Sequence, residues 1–194
     1  MGTLANFFPS VVAGLGFGTT KTYLLTAPPF ILCVFTMLVN GFHSDRKQER
    51  FWHIVSPLIV TLVANIIALS SLNTAARYVA MMLMPASFYS AAIVVLSWIT
   101  GSLSQPANKR ASAIAFINAM CNTPNIWGSY LYYGSPRYVT AFAVCVAATG
   151  LAIAFAIATR IHLSRLNAKM DRGESLGKHG PTEAQIAGGF RYIL

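Results

Sequence analysis

NGFHSDRKQER, residues 40–50, is the stretch on which the fold turns. It crowds Asp45, Arg46, Lys47, Glu49 and Arg50 together, while the runs on either side, 22–42 and 54–76, contain no Asp, Glu, Lys or Arg. A bilayer core about 30 Å thick needs about 20 apolar residues of helix. Each flank is long enough to cross, so the charged stretch reads as a loop between two spans.

The same division extends outward in both directions. Uncharged runs cover 1–20, 22–42, 54–76, 78–108, 111–136 and 138–159. The fourth run ends in TGSLSQPAN, whose Gly, Ser and Pro mark a loop, so its helix stops near Thr100. The first run is interrupted by Pro9, Gly14, Gly16 and Gly18. The 194 residues are 55% hydrophobic and 10% charged, with mean hydropathy +0.57. A soluble domain carries about a quarter charged residues. The expected fold is therefore an all-α membrane protein with six transmembrane helices at about 3–20, 24–42, 54–72, 78–100, 110–132 and 138–160. They form one half-domain over 1–163, followed by a tail at 164–194.

The net charge of +9 does not point to nucleic acid, because the basic residues form short clusters between apolar runs rather than one face with interleaved aromatics. With six spans both termini share a side. That side holds Arg46, Lys47, Arg50, Lys109, Arg110, Arg160, Arg165, Lys169, Arg172, Lys178 and Arg191, against Lys21, Arg77 and Arg137 opposite. The bias places both termini and the two charged loops in the cytoplasm. Arg77 and Arg137 are expected to reach for headgroups. The polar end of the tail reads as a short helical extension followed by a mobile segment. Cys33, Cys121 and Cys145 lie in apolar runs without metal spacing and are expected to pack as small hydrophobes. MGTLANFFPSVVAGLGFG has no basic n-region and continues into apolar sequence, which favours a first membrane segment over a cleaved signal.

No catalytic constellation is visible, and no cofactor or metal is expected. All five carboxylates, Asp45, Glu49, Asp171, Glu174 and Glu183, fall in loop or tail. The polar residues inside spans are more telling. FINAMCNTPNIWGSY, 116–130, carries Asn118, Asn122, Asn125 and Ser129, which at helical spacing fall within about 60° of one another. Such a line cannot face lipid without leaving amides unsatisfied. It either glues helices together or lines a cavity, and four polar groups on one line favour the cavity. Pro124 interrupts the same helix and frees a carbonyl one turn earlier, which is also consistent with a simple kink. Ala107, Ala111, Ala115 and Ala119 form a small-residue ladder that would admit a neighbouring backbone. Asn6, Thr36, Asn40, Asn65 and Tyr89 are isolated in-span polar groups, of which Asn6 and Tyr89 are the cavity candidates. A scaffold without transport activity, its Asn line buried as glue, is the alternative.

Gly41, Asp45, Arg46 and Arg50 fit the Gly-x-x-x-Asp-Arg-x-x-x-Arg loop pattern of major facilitator superfamily transporters, although a charge cluster there could simply anchor the topology. Together with LLTAPPF at 24–30, the Asn-rich segment 108–132, PRYVTAF at 136–142 and LNAKMDRGE at 166–174, the chain resembles the carboxyl-terminal half of fungal permeases of the allantoate and nicotinate type. The resemblance implies that the spans are the seventh to twelfth of twelve, the first of them truncated. It implies that the Asn-bearing span lines a central cavity between two halves. It implies uptake of a small organic anion or vitamin-like solute through the plasma membrane, coupled to protons, with Gly41, Asp45, Arg46 and Arg50 as a conformational loop motif. Asp45 would there meet a helix of the other half and would lack its partner in this chain. The partners expected are thus a small solute, the lipid bilayer, and an amino-terminal half or a second copy. On its own the chain is expected to be an inactive fragment.

Overall fold

The computed structural model describes residues 19–71, 73–102, 107–132, 138–174, 181, 186 and 188–194. All regular structure among them is helical: α1 Thr19–Lys47, α2 Phe51–Ser70, α3 Thr74–Ser102, α4 Ala107–Asn122, α5 Pro124–Trp127 leading into a 3-10 turn at Gly128–Leu131, and α6 Val139–Asp171. Among the described residues four helices, α1, α2, α3 and α6, are long and apolar enough to cross a membrane. The expected span at 3–20 lies almost wholly outside the described residues. The segment expected to span at 110–132 is helical but broken at Thr123 into α4, α5 and the 3-10 turn, and it is not among those four.

Burial on α2 shows why this sequence makes a bundle. Phe51, Ile54, Val55, Leu58, Thr61, Ala64, Asn65 and Ala68 are buried, a stripe at spacings of three and four. The opposite face is apolar as well, with Ile59, Val60, Val63 and Ile66 exposed. An apolar face left outside is what a bilayer, not water, would cover. Burial against other helices is therefore selected by fit rather than by polarity.

Two clusters form the core. One joins Ala64 and Ala68 of α2 to Ala80, Met81 and Met84 of α3 and to Ala141 and Phe142 of α6. The other joins Phe51, Ile54, Val55 and Leu58 to Ala91, Val94 and Trp98 and to Ala156 and Leu163. The register makes α6 parallel to α3 and antiparallel to α2. Side chains of α1 at Thr36 and Asn40 reach α3 at Ala86 and Ser90, so α1 is also parallel to α3. The ends of α1, α3 and α6 and the start of α2 therefore lie at one end of the bundle. Arg46, Lys47, Arg50 and Arg160 gather there.

At 33 residues α6 is about 50 Å long by its helical rise, well beyond the hydrocarbon thickness. Its last turns project past any bilayer the bundle crosses. Three expectations fail in the packing. Arg77 is buried rather than reaching outward, Cys121 is exposed rather than packed, and Ala111, Ala115 and Ala119 are exposed, with no described neighbour seated on the ladder. Arg137 is outside the described residues.

Candidate functional site

Prolines shape the polar contacts of the bundle. A proline inside a helix removes the hydrogen bond to the carbonyl four residues earlier. Pro29 in α1 frees the Leu25 carbonyl, and the Tyr78 hydroxyl of α3 donates to that oxygen at 2.9 Å. Pro57 in α2 frees the His53 carbonyl, which accepts from Asn40 Nδ2 of α1 at 2.9 Å. The same Asn40 amide also donates to Ser90 O of α3 at 3.2 Å, so one side chain ties three helices together. Thr36 Oγ1 donates to Ala86 O at 2.8 Å. Asn65 turns its amide to Thr61 O of its own helix at 2.7 Å, and the Thr61 and Ser87 hydroxyls meet at 2.7 Å between α2 and α3.

Thr36, Asn40, Ser56, Ser87 and Ser90 also border a cavity of about 380 Å³ between α1, α2 and α3, whose other walls are apolar. The α3 side of that cavity is Leu83, Ala86, Ser87 and Ser90. Tyr89 is not part of it and stands half-buried beside Phe88. Asn6 lies outside the described residues.

The Asn line is brought together. Asn122 Nδ2 donates to Asn118 O at 2.9 Å and lies 3.5 Å from Asn118 Oδ1, and Asn125 Nδ2 donates to Asn122 Oδ1 at 3.4 Å. All three asparagines are exposed, covered by no described helix. The side chain of Ser129 is not among those described. Pro124 cannot donate to Met120 O, and Thr123 N takes that carbonyl at 3.2 Å in a tighter turn. The break between α4 and α5 is the kink that Pro124 implies, and it leaves the polar line continuous across it. Phe116, Met120, Ile126, Trp127 and Tyr130 are exposed on the same segment.

The loop motif forms a closed joint between α1 and α2. Gln48 adopts a left-handed φ of 52°, an uncommon conformation that reverses the chain. Ser44 Oγ donates to Glu49 O at 2.9 Å, Arg50 Nη1 donates to Ser44 Oγ at 3.2 Å, and the same nitrogen lies 2.5 Å from Asp45 Oδ1. Asp45 therefore has an ion-pair partner inside its own loop, in addition to the contact with another half that the resemblance implies. Gly41 is not required sterically, since a Cβ there would meet nothing within 4 Å. Arg46 is exposed at the end of α1. His43 Nδ1 and His53 Nε2 are 2.6 Å apart across the joint, a contact set by the turn geometry and not legible from residue spacing. Arg160 of α6 lies over the Phe51 ring at 4.3 Å, bringing a third helix to the same place.

The fold and these sites define a class, the polytopic helical membrane protein with an exposed polar line and a charged turn clasp. The relatives are transporters. The chain is 30% identical over 98% of its length to an uncharacterized transporter of Schizosaccharomyces pombe, of which it covers 39%. It is 29% identical to the MFS-type transporter efuF of Hormonema carpetanum over 78% of this chain and 31% of that one. It is 30% identical to the major facilitator-type transporter hxnP of Emericella nidulans, again over 78% of this chain and 31% of the relative. The chain thus spans about two fifths or less of the length of the curated relatives it matches. No family model matches the chain, and no solved structure does.

Proposed function

We propose that the chain is the carboxyl-terminal six-helix half of a major facilitator transporter of the allantoate and nicotinate kind, carrying a small organic anion or vitamin-like solute together with protons. The observation that carries this reading is the alignment of nearly the whole chain with transporters more than twice its length. A fold of two equal halves produces that proportion when one half is matched. In this assignment α1, α2 and α3 are the eighth, ninth and tenth helices, α4 with α5 is the eleventh, and α6 is the twelfth.

The exposed line Asn118, Asn122, Asn125 then faces the opposite half across the substrate path, with Ser129, Asn6 and Tyr89 as further cavity residues. An amide ladder suits a polar solute because each carboxamide offers both a donor and an acceptor. The basic end of the bundle is cytoplasmic and the membrane is the plasma membrane. Transport requires a second half, whether on the same polypeptide, on another, or from a second copy, because alternating access is the rocking of one half against the other.

The test is uptake in the two-half protein carrying Asn122→Leu or Asn125→Leu. Both variants are expected to reach the cell surface at parental levels and to lose uptake. Unchanged uptake in both would remove the Asn line from the substrate path. A fall in surface level parallel to the fall in uptake would make the line helix glue, as in the scaffold alternative.

A further inference from the structure

The last residues do not form the mobile end that their composition suggests. They lie across the end of the bundle where α1, α3 and α6 finish and α2 begins. Leu194 O accepts from Arg50 N at 2.8 Å, and Ile193 O accepts from the Trp98 indole Nε1 at 2.8 Å. Asn167 of α6 holds Tyr192 from both sides, donating Nδ2 to its carbonyl at 2.8 Å and accepting its N–H on Oδ1 at 2.9 Å. Arg191 Nε meets Asp171 Oδ1 at 2.8 Å. Tyr192 and Leu194 also pack on the cluster formed by Phe51, Trp98 and Leu163, and burial pushes the Tyr192 phenol pKa up.

Two features make this more than a folded-back end. First, the bonds are made to α3, to α6 and to the residue that opens α2, so the segment spans three elements whose other described contacts at this level are apolar packing and the Arg160 guanidinium over Phe51. Directed hydrogen bonds add distance and angle requirements to the fit that the apolar packing already imposes. Second, the residue held at its backbone by Leu194 is Arg50, whose guanidinium holds Ser44 and Asp45 in the turn. Arg50 is the N-cap of α2, and its N–H has no intrahelical acceptor. Release of the segment would return that donor to water and free the backbone of the residue whose guanidinium holds Ser44 and Asp45.

We propose that residues 190–194 are a strap that locks the α1–α2 joint closed, with Asn167 as its main anchor and Arg50 as the residue through which it acts. Strap and joint open together. The ion pair of Arg191 with Asp171 is solvent-exposed and contributes little, so the strap is held by the Asn167 clasp and the apolar seat of Tyr192. This inference stands on the contacts of the chain itself and does not depend on the transport reading.

The test is residue-resolved amide hydrogen exchange on the full chain in lipid nanodiscs, comparing the parent with Asn167→Leu and Arg191→Gln. In the parent the amides of Tyr192 and Arg50 are expected to be protected. In Asn167→Leu, which removes both hydrogen bonds of the clasp, both are expected to exchange at least about tenfold faster, while amides in the middle of α2 are unchanged. Arg191→Gln, which cannot disturb the bundle, is expected to change either amide by less than about twofold. A Tyr192 amide that exchanges at the free-peptide rate in the parent would overturn the strap. Loss of protection at Tyr192 with Arg50 still protected would overturn its coupling to the joint, and a general rise across α2 would reduce Asn167 to a packing residue.

Discussion

The Arg50 guanidinium lies 2.5 Å from the Asp45 carboxylate, and the two side chains differ sharply in surroundings, 10% exposed for Arg50 and 63% for Asp45. The asymmetry decides which partner matters. Asp45 can return to water when Arg50 is lost, but removing Arg50 also strips Ser44, which is fully buried, of a hydrogen bond. Arg50→Ala is expected to cost about 1–3 kcal/mol, the usual penalty for disrupting buried polar bonds. Asp45→Asn is expected to cost under about 1 kcal/mol, as for an exposed pair. Unfolding midpoints of the two variants in mild detergent would check the ranking, and equal losses would contradict it.

Tyr78 and Pro29 are predicted to be coupled. Tyr78→Phe leaves the Leu25 carbonyl without its donor, at a cost of about 1 kcal/mol by comparison with interhelical bonds in membranes. Pro29→Ala restores a backbone N–H that can take the same carbonyl, so Tyr78→Phe in that background is expected to cost nearly nothing beyond lost packing. A double-mutant cycle measures the difference directly. Additive losses would mean that the proline does not set the need for the hydroxyl.

Asn40 is predicted to matter more than its half-buried position suggests, because it meets both the proline-freed His53 carbonyl and Ser90 O. Asn40→Leu is expected to destabilise by roughly 1–2 kcal/mol, and Pro57→Ala is expected to recover part of that by closing the helix on His53 O. Stability measured in bicelles, with and without Pro57→Ala, checks both steps. A neutral Asn40→Leu would show that water or lipid headgroups reach the site and replace the amide.

The parts of this fold legible in the sequence are those that follow from composition along the chain. Charge-free runs set off by NGFHSDRKQER, Arg77, Lys109, Arg137 and Arg160 correspond to α1, α2, α3 and α6, because a span needs a minimum apolar length. Helical spacing gave the Asn line, and Pro124 gave the break beside it. Contacts that depend on which atoms a turn or a proline makes available were not legible. Asp45 bonding to Arg50, His43 meeting His53, and Tyr78 reaching Leu25 O each require the three-dimensional register of two elements. The strap was missed for a related reason. A Gly- and Pro-containing polar tail has a disordered composition, yet FRYIL at its end holds the aromatic and aliphatic residues that seat on Trp98 and Leu163.

Asn122 is the middle member of the amide ladder, linked to Asn118 on one side and Asn125 on the other, and Asn122→Leu removes both links at once. The ladder is exposed, so no described helix loses a partner when it goes. Leucine is the better helix former, which offsets the lost amide contacts. The stability of the chain alone is therefore expected to stay within about 0.5 kcal/mol of the parent, as for surface substitutions generally. A glue residue would behave differently, since an amide buried between helices leaves its partner unsatisfied when removed. The unfolding midpoint of Asn122→Leu against that of Asn40→Leu, which is such a glue residue, separates the two roles. Equal destabilisation by both would show that the Asn line is packed in the isolated chain and cannot be the face it turns toward a solute.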